Sequence, residues 1–283
     1  MSRVDVVGCI GLGLMGRPIA LRLRAAGIPL VIWGRRPDRL LDIVDAGASL
    51  ADSPAELARR ADIVITCVSD TDAVEAVVFG AEGNDGNDAI VGGAAGGKVL
   101  VDMSTIHPRR SREMAERLRA DTGMGWIDAP VSGGPRAAAD GTLAVMAGGD
   151  PADFARVTPI VGHLAGAFTL MGPSGAGQTT KMINQVITGG CKLVIAEAIQ
   201  LAMNAGLDAT RLPEAFAGGR ADSALLRQSI PKMVSGDFSP AGHLRTIMKD
   251  LDLVMELARD TRTPVPMTGL ATEIHRTLMA HGH

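Results

Sequence analysis

The chain has 283 residues, of which 46% are hydrophobic and 21% charged, and this composition excludes an intrinsically disordered protein. The net charge of −3 arises from 28 basic and 31 acidic residues that are well interspersed, so we expect no nucleic-acid partner. The first residues do not form a signal-peptide pattern, and no apolar run approaches the roughly 20 residues that cross a bilayer. These features predict a cytoplasmic protein with no membrane partner.

The cysteines give no sign of a disulfide framework. Cys9, Cys67 and Cys191 lie far apart in apolar stretches, and none forms a Cys-x-x-Cys pair. We therefore expect all three to be small buried apolar residues, and we expect no metal site.

Strands alternate with helices over the first part of the chain. The predicted strands are apolar runs, and the helices between them show helical spacing with capping signals. The strands are predicted at 4–10, 29–33, 62–68, 98–102, 126–130 and 143–149, and one more helix and strand follow. The helices are predicted at 14–26, at 37–46, from the capping box "SPAE" at 53–56, at 71–79 and from Pro108. This alternation predicts an α/β protein with a doubly wound parallel sheet, the Rossmann type.

The remaining segments predict a second domain. Residues 80–97 are glycine-rich and are interpreted as a surface excursion, not as a domain boundary. From Gly177 onward only helical periods occur, and the first helix, at about 178–205, is apolar on most faces. Such a helix is expected to lie between domains or between subunits. We predict a Rossmann domain over 1–172, an all-helical substrate and oligomerisation domain over 173–283, and a homodimer or homotetramer.

The stretch "GLGLMG" at 11–16 follows the first predicted strand and opens the first predicted helix. In a dinucleotide site, Gly11 makes the tight turn, Gly13 lets the backbone approach the pyrophosphate, and Gly16 lets helix and strand pack closely. The helix N-terminus then faces the phosphates. An ordinary βα turn is the alternative, but the strand–turn–helix setting favours a dinucleotide.

The end of the second predicted strand indicates which dinucleotide binds. An acidic residue at this point binds the ribose 2′-hydroxyl of NAD, whereas this chain has Gly34, Arg35 and Arg36. Guanidinium groups suit a 2′-phosphate because they form charge-assisted hydrogen bonds with it. The pattern favours NADP, and the alternative is a solvated basic turn.

A polar face occurs on the first helix of the second half. Lys181, Asn184 and Gln185 are spaced i, i+3 and i+4, and Thr188 continues the same face. Polar groups on an otherwise apolar helix are costly unless they have partners or line a cavity. A solvated lysine is the alternative, but the apolar neighbours argue against full exposure.

Five motifs in order resemble the β-hydroxyacid dehydrogenase family, which includes 3-hydroxyisobutyrate dehydrogenase and tartronate semialdehyde reductase. They are "GLGLMG" at 11–16, "VDMSTIHP" at 101–108, "DAPVSGG" at 128–134, "GAGQTTKMINQ" at 175–185 and "KDL" at 249–251. The resemblance implies an oxidoreductase that transfers a hydride between NADP(H) and a small β-hydroxyacid or the corresponding semialdehyde acid. It also implies a C-terminal domain of the 6-phosphogluconate dehydrogenase type.

The resemblance further implies roles for individual residues. Lys181 would be the general acid/base, and the substrate would be held by Ser132, Gly133, Gly134 and Asn184. Backbone N–H groups at the two glycines can form an anion-binding nest, although "VSGGP" by itself also fits a plain turn. The implied cofactor contacts are Gly11, Leu12, Gly13, Leu14, Met15, Gly16, Gly34, Arg35, Arg36, Val68, Ser69, Thr105 and Lys249. For Lys249, a solvated pair with Asp250 is the alternative.

Some residues depart from the family pattern. Gly34 stands where an asparagine is usual, and Gly242 stands where a bulky aromatic is common, so the substrate pocket is expected to be more open. His243 is either a substrate contact or a locally satisfied histidine. Two other functions stay open: reduction of imines, whose enzymes usually lack a lysine at position 181, and a non-catalytic NADP-binding module.

Overall fold

The computed structural model describes residues 5–81, 86–237 and 243–281. By compactness the chain divides into two units, Met1–Lys181 and Met182–His283. The division expected from the sequence is at 172, where the last strand ends. Both divisions assign every strand of the described residues to the first unit.

The first unit is built on one sheet. Its strands are β1 (Val7–Ile10), β2 (Leu30–Trp33), β3 (Ser49–Leu50), β4 (Ile63–Thr66), β5 (Val99–Asp102), β6 (Gly125–Asp128), β7 (Val131–Ser132), β8 (Leu143–Gly149) and β9 (Ala165–Gly172). Their order is β3-β2-β1-β4-β5-β6-β8-β7, with β9 beside β8. Every pair from β3 to β6 is parallel, which confirms the Rossmann-type sheet.

The sheet is not parallel throughout. β8 runs antiparallel to both β6 and β7 and parallel to β9. The apolar runs of the sequence do not predict this reversal, because an apolar run indicates burial and carries no information on strand direction.

Helices cover the sheet. The first unit contains α1 (Gly16–Ala25), α2 (Leu41–Asp45), α3 (Pro54–Arg60), α4 (Thr71–Phe79), α5 (Pro108–Thr122), α6 (Gly134–Asp140) and α7 (Pro151–Val161). The long helix α8 (Ala176–Asn204) begins in the first unit and ends in the second. The second unit continues with α9 (Leu212–Ala215), α10 (Ala224–Ser235), α11 (Leu244–Asp260) and α12 (Pro266–Ala280). Its described residues form helices and loops alone, as expected.

Two hydrophobic clusters lie on opposite faces of the sheet. Ile63 and Ile65 of β4 belong to one cluster, whereas Val64 belongs to the other, because successive side chains of a strand point to opposite faces. The first cluster includes residues of α1 and α7, and the second includes residues of α3, α4 and α5. The sheet is therefore doubly wound, and its central strands are buried on both faces.

Short elements differ from the sequence expectation. The helix expected at 37–46 is a 3₁₀ turn, Pro37–Leu40, followed by the five-residue α2. β3, β7 and α6 were not predicted, because elements of two to seven residues hold too few positions to establish a period. The capping box before α3 is present: Ser53 accepts a hydrogen bond from the Glu56 N–H at 3.1 Å.

The glycine-rich segment 80–97 is also different from the expected surface excursion. Its residues 82–85 lie outside the described part of the chain. A 3₁₀ turn at Ile90–Gly93 packs against α3, and Ile90 is fully buried. A Cβ atom on Gly93 would overlap the carbonyl oxygen of Ala55, so this close approach requires glycine.

Helix α8 differs from two expectations, one on membrane-length apolar segments and one on the burial of the cysteines. Within the described residues, it is the one helix long and apolar enough to cross a membrane by length and composition, although core helices of soluble proteins pass the same test. Only 22% of its apolar window is buried, and Ile187, Val194 and Leu201 are among the exposed apolar residues of the helix. Cys191 is also exposed on this helix, and Cys67 is only partly buried, so Cys9 is the one cysteine buried as predicted. Helical spacing alone cannot tell which apolar face packs inside the chain.

Candidate functional site

The glycine-rich turn lies where the parallel strands end. Gly11 has φ of 88°, and a Cβ atom there would overlap the Cys67 carbonyl oxygen after β4. A Cβ atom on Gly16 would overlap the Gly11 carbonyl oxygen, whereas one on Gly13 would meet nothing within 4 Å. Gly11 and Gly16 therefore allow the turn to form, and Gly13 leaves its backbone open to a ligand.

The start of α1 also fits a dinucleotide. Met15 precedes the helix without a side-chain hydrogen bond that caps it, and Gly13 and Leu14 are exposed. The first N–H groups of a helix need acceptors, and its dipole favours an anion. With the open approach at Gly13, the residues of this turn fit the pyrophosphate of a nicotinamide dinucleotide.

The loops after β4 and β5 are joined beside this turn. The Val68 N–H donates a hydrogen bond to the Ser104 hydroxyl at 2.9 Å, so the predicted cofactor residues Val68 and Thr105 lie on adjacent loops. Asp102, at the end of β5, accepts hydrogen bonds from the Thr66 hydroxyl at 2.9 Å and the Ser104 N–H at 3.1 Å. These bonds hold both loops at the same edge of the sheet.

The arginines expected to select NADP follow β2, the neighbour of β1 in the sheet. Arg35 and Arg36 are both exposed. Arg17, in the first turn of α1, makes an ion pair with Asp42 of α2 and a hydrogen bond with the Arg39 carbonyl oxygen. This contact connects the arginine-bearing segment with the start of α1.

Lys181 is buried rather than solvated. Its side chain is 7% exposed, and Nζ donates a hydrogen bond to the Val131 carbonyl oxygen at 2.8 Å. Val131 directly precedes Ser132. The sequence interpretation that Lys181 is not fully exposed is therefore confirmed, and its ammonium lies beside the "SGG" segment.

The two glycines of that segment adopt conformations that other residues rarely adopt. Gly133 has φ of 130° and Gly134 has φ of 74°. A Cβ atom on Gly134 would meet nothing within 4 Å, so the backbone faces open space there. This geometry suits an approach of a small anion to the backbone, as a substrate carboxylate requires.

Asp128 joins the same segment to the beginning of α8. Its carboxylate accepts hydrogen bonds from the Gly175 N–H at 2.7 Å and the Gln178 N–H at 2.9 Å. Asp128 is fully buried. Burial raises the pKa of its carboxyl group to about 6, although both N–H groups act in the opposite direction and Asp102 adds to the rise.

The Gln178 side chain makes a second attachment. Its Nε2 donates to the Ser104 carbonyl oxygen at 2.8 Å, and its Oε1 accepts from the Ile106 N–H at 3.1 Å. Gln178 is fully buried. The first turn of α8 is thus bonded to the ends of both β5 and β6.

In the second unit, a chain of side-chain hydrogen bonds begins at Asn184. The Asn184 amide donates to Gln185 Oε1 at 2.8 Å, and Gln185 Nε2 donates to Asp250 Oδ2 at 2.7 Å. Asp250 is buried and forms an ion pair with Lys249 at 3.2 Å. The pair is therefore not the solvated alternative considered from the sequence. Because a carboxylate only accepts hydrogen bonds, Asp250 determines which way both amides point.

Some sequence-predicted residues are not brought into these networks. His243 is exposed at the start of α11, without a side-chain hydrogen bond that caps the helix. Gly242 lies outside the described residues. The described part of the chain has no group of three or more His, Cys, Asp or Glu residues that could hold a metal ion.

Several residues of these networks were absent from the predicted site, among them Asp128, Gln178, Gln185 and Asp250. Asp128 and Gln178 belong to the motifs at 128–134 and 175–185. A signal was available for Asp128, because a carboxylate directly after a buried apolar strand needs a partner. No sequence pattern identifies that partner as a helix 47 residues further along.

Family models cover nearly the whole chain. Residues 6–172 match the NAD-binding domain of 6-phosphogluconate dehydrogenase, and residues 175–283 match the NAD-binding domain of NADP-dependent 3-hydroxyisobutyrate dehydrogenase. The chain is 36% identical to 2-hydroxy-3-oxopropionate reductase of Escherichia coli over 98% of its own length and 92% of that protein. The chain belongs to the β-hydroxyacid dehydrogenase family.

Solved structures agree with this membership. A 3-hydroxyisobutyrate dehydrogenase from Salmonella typhimurium has a TM-score of 0.86 at 29% identity, covering 98% of this chain and 95% of that one. Psf3, solved in complex with NADP+ and 2-OPP, has a TM-score of 0.87 at 26% identity, with coverages of 98% and 95%. The protein is thus an NAD(P)-dependent oxidoreductase of the β-hydroxyacid dehydrogenase family, acting on a CH–OH group.

Proposed function

We propose that this β-hydroxyacid dehydrogenase transfers a hydride between NADP(H) and a small β-hydroxyacid or its semialdehyde acid, with Lys181 as general acid/base. One observation carries the proposal: the ammonium group of Lys181 is buried and hydrogen-bonded beside the backbone of Ser132, Gly133 and Gly134. A buried cation next to an open, glycine-lined backbone suits both a substrate carboxylate and a carbonyl oxygen that gains negative charge.

The chemistry then follows from the side chains. The bound nicotinamide supplies the hydride for reduction and accepts it in oxidation. As the substrate carbonyl is reduced, its oxygen gains negative charge, which Lys181 stabilises and then neutralises by giving up a proton. In the oxidative direction, the neutral amine of Lys181 removes the hydroxyl proton. The Val131 carbonyl oxygen accepts a hydrogen bond from Nζ and orients the Lys181 side chain during both steps.

Substrate recognition is assigned to the "SGG" segment beside the Lys181 ammonium group and to Asn184 on the same helix as Lys181. The Ser132 hydroxyl and the backbone N–H groups of Gly133 and Gly134 bind the carboxylate. Asn184 lies one turn further along α8 and contacts the substrate through its amide. The name of the Escherichia coli relative, 2-hydroxy-3-oxopropionate reductase, supports a small semialdehyde acid as the substrate class, because the 3-oxo group of that compound is an aldehyde.

The preference for NADP rests on the two exposed arginines that follow β2. Arg35 and Arg36 offer guanidinium groups to a 2′-phosphate, which NAD lacks. The complex of Psf3 with NADP+ supports this preference, as does the family model described as NADP-dependent. Thr105 and Lys249 remain candidate contacts of the cofactor.

The test is oxidation of NADPH, with NADH in parallel, against glyoxylate and the tartronate, methylmalonate and succinic semialdehydes. We expect one of these acids to be reduced with NADPH, and we expect Lys181→Ala to lower kcat about 10³-fold. Lys232→Ala, on α10, is the matched control and retains the wild-type rate. Tight NADPH binding without reduction of any acid would overturn the proposed substrate class and leave a cyclic imine as the next substrate to assay.

We also propose that the chain forms a homodimer or homotetramer. The exposed Ile187, Val194 and Leu201 of α8 and Met267 and Leu270 of α12 support this, because monomers seldom leave such apolar faces open. Sedimentation of the intact protein measures the assembly, and a monomer at micromolar concentration would contradict it. The cytoplasmic location stays a prediction.

A further inference from the structure

Residues 128–131 bind both the Lys181 ammonium group and the start of α8, the helix to which Lys181 belongs. Val131 accepts the hydrogen bond from Nζ, and Asp128, three residues earlier, accepts the two N–H groups at the start of α8. The carboxylate and the carbonyl therefore belong to one short stretch, which begins at the last residue of β6 and ends in β7. The position of Nζ relative to Ser132 depends on how α8 is attached to that stretch.

The attachment is close and specific. A Cβ atom on Gly148 of β8 would lie 2.7 Å from Asp128 Oδ1 and 2.8 Å from the Ala176 nitrogen. A Cβ atom on Gly177 would overlap the backbone carbonyl oxygens of Asp128 and Met146. At these glycines the start of α8 packs directly against the backbone of β8 and against Asp128 at the end of β6. A loss of either carboxylate bond would therefore move the backbone that leads to Lys181.

Gln178 fixes the rotation of the same helical turn. Its amide bonds to backbone groups on both sides of Thr105, through the Ser104 carbonyl oxygen and the Ile106 N–H. Lys181 follows Gln178 by three residues, so the two side chains project from neighbouring positions on α8. Asp128 thus fixes where α8 begins, and Gln178 fixes its orientation about its axis.

We propose that Asp128 and Gln178 are positioning residues, which act through the first turn of α8 to hold Lys181 at the Val131 carbonyl oxygen. This inference rests on the proposed role of Lys181 as general acid/base. Neither residue is given a contact with the substrate or with the reacting atoms. Their effect is on the step in which Lys181 transfers a proton, and much less on the binding of NADPH or substrate.

The test compares Asp128→Asn and Gln178→Met with a matched control. Asp128→Asn retains the shape of the side chain and replaces one acceptor oxygen by an amide nitrogen. Gln178→Met retains volume and charge but removes both amide bonds. Asp150→Asn is the control, because Asp150 accepts the Ala152 and Asp153 N–H groups at the start of α7, which bears no candidate site residue.

Both variants are expected to lower kcat at least 30-fold, with the substrate KM and the NADPH Kd within threefold of wild type. Asp150→Asn is expected to retain kcat within twofold. Circular dichroism and the unfolding midpoint establish that each variant is folded. A folded Asp128→Asn or Gln178→Met with kcat within threefold of wild type overturns the proposal, as does a loss confined to KM.

A second measurement does not require turnover. Competitive labelling with a small amine-reactive reagent, read by mass spectrometry over a range of pH, gives the apparent pKa of Lys181 with the other lysines as internal references. We expect both variants to shift this value by at least half a pH unit. If the apparent pKa of Lys181 shifts in Asp128→Asn but not in Gln178→Met, the shift comes from the lost carboxyl charge, and the proposed positioning role is overturned. If the wild-type protein reduces no acid at all, the proposed function fails, while the labelling still decides whether Asp128 and Gln178 position Lys181.

Discussion

The two units of the chain hold their candidate site residues in different ways. In the first unit, Lys181 bonds to the Val131 carbonyl oxygen and Asp128 accepts backbone N–H groups at the start of α8. Gly11 and Gly16 stand where any side chain would collide with the backbone. In the second unit, Asn184, Gln185 and Asp250 bond to one another through side chains. The first arrangement depends on backbone geometry. The second depends on hydrogen bonds between side chains on helix surfaces. These bonds can be lost while the helices themselves stay folded.

The largest expected difference between the units concerns their glycines. Gly11→Ala places a Cβ atom against the Cys67 carbonyl oxygen at a φ of 88°, so it should lower the free energy of unfolding by about 3 kcal/mol. Gly190→Ala lies in α8 with nothing within 4 Å of its Cβ, so it should raise that free energy by about 0.5–1 kcal/mol. Denaturant titrations measure both. If both substitutions changed the free energy of unfolding equally, the backbone of the first unit would be no more dependent on glycine than that of the second.

A second prediction uses the raised pKa of Asp128. The unfolded chain releases this proton near its ordinary pKa of 3.8, whereas the folded chain retains it up to about 6. The unfolded chain therefore binds fewer protons between these values, and the free energy of unfolding should fall by up to about 3 kcal/mol as pH rises through them. Asp128→Asn should flatten this part of the stability curve. An unchanged slope in the variant would assign the pH dependence to other carboxyl groups.

The third prediction concerns the exposed arginines of the first unit. Replacing Arg35 and Arg36 together by serine should weaken NADPH binding about 30-fold, because the charge-assisted bonds to a 2′-phosphate are lost. NADH binding should change less than threefold. Arg136→Ser is the control, because the Arg136 side chain is 95% exposed on α6 and its replacement removes one of the two positive charges that the double variant loses. Fluorescence titration measures the Kd values, and an equal loss for both cofactors would contradict a role in NADP selection.

The smallest effect is expected from the side-chain network of the second unit. Gln185→Met interrupts the hydrogen bonds between Asn184 and Asp250 and should lower kcat/KM about tenfold. Because the buried Asp250 carboxylate loses a donor, the free energy of unfolding should also fall by about 1–2 kcal/mol. Gln200→Met is the matched control on the same helix, where the Gln200 amide donates a hydrogen bond to the exposed Asn204 side chain at 2.9 Å. Steady-state kinetics compare the two variants. If they lose activity equally, the network near Asn184 does not orient the site.

Much of the first unit could be predicted because its sequence signals are local. The strands at β4, β5 and β6 are continuous apolar runs, and helix α4 has the predicted bounds of 71–79. The glycines of "GLGLMG" stand where the turn requires them. That Lys181 is not fully exposed could be predicted because its neighbours on the helix are apolar. Each of these features is decided within one element or one turn.

Other features depend on partners distant in the chain. The antiparallel direction of β8, the packing of Ile90 against α3 and the exposure of Cys191 required the assembled sheet and helices. So did the bonds from Asp128 to Gly175 and Gln178.

The sequence by itself therefore determined the order of the elements, the Rossmann-type sheet, the glycine-rich turn and the polar face of α8. It could do so because apolar periodicity and turn residues act over a few neighbouring positions. Only the tertiary structure decided which backbone group each buried polar side chain meets, and it did so for Asp128, Gln178, Lys181 and Asp250. A buried polar group requires a partner, but that partner is selected by the packing of whole elements against one another.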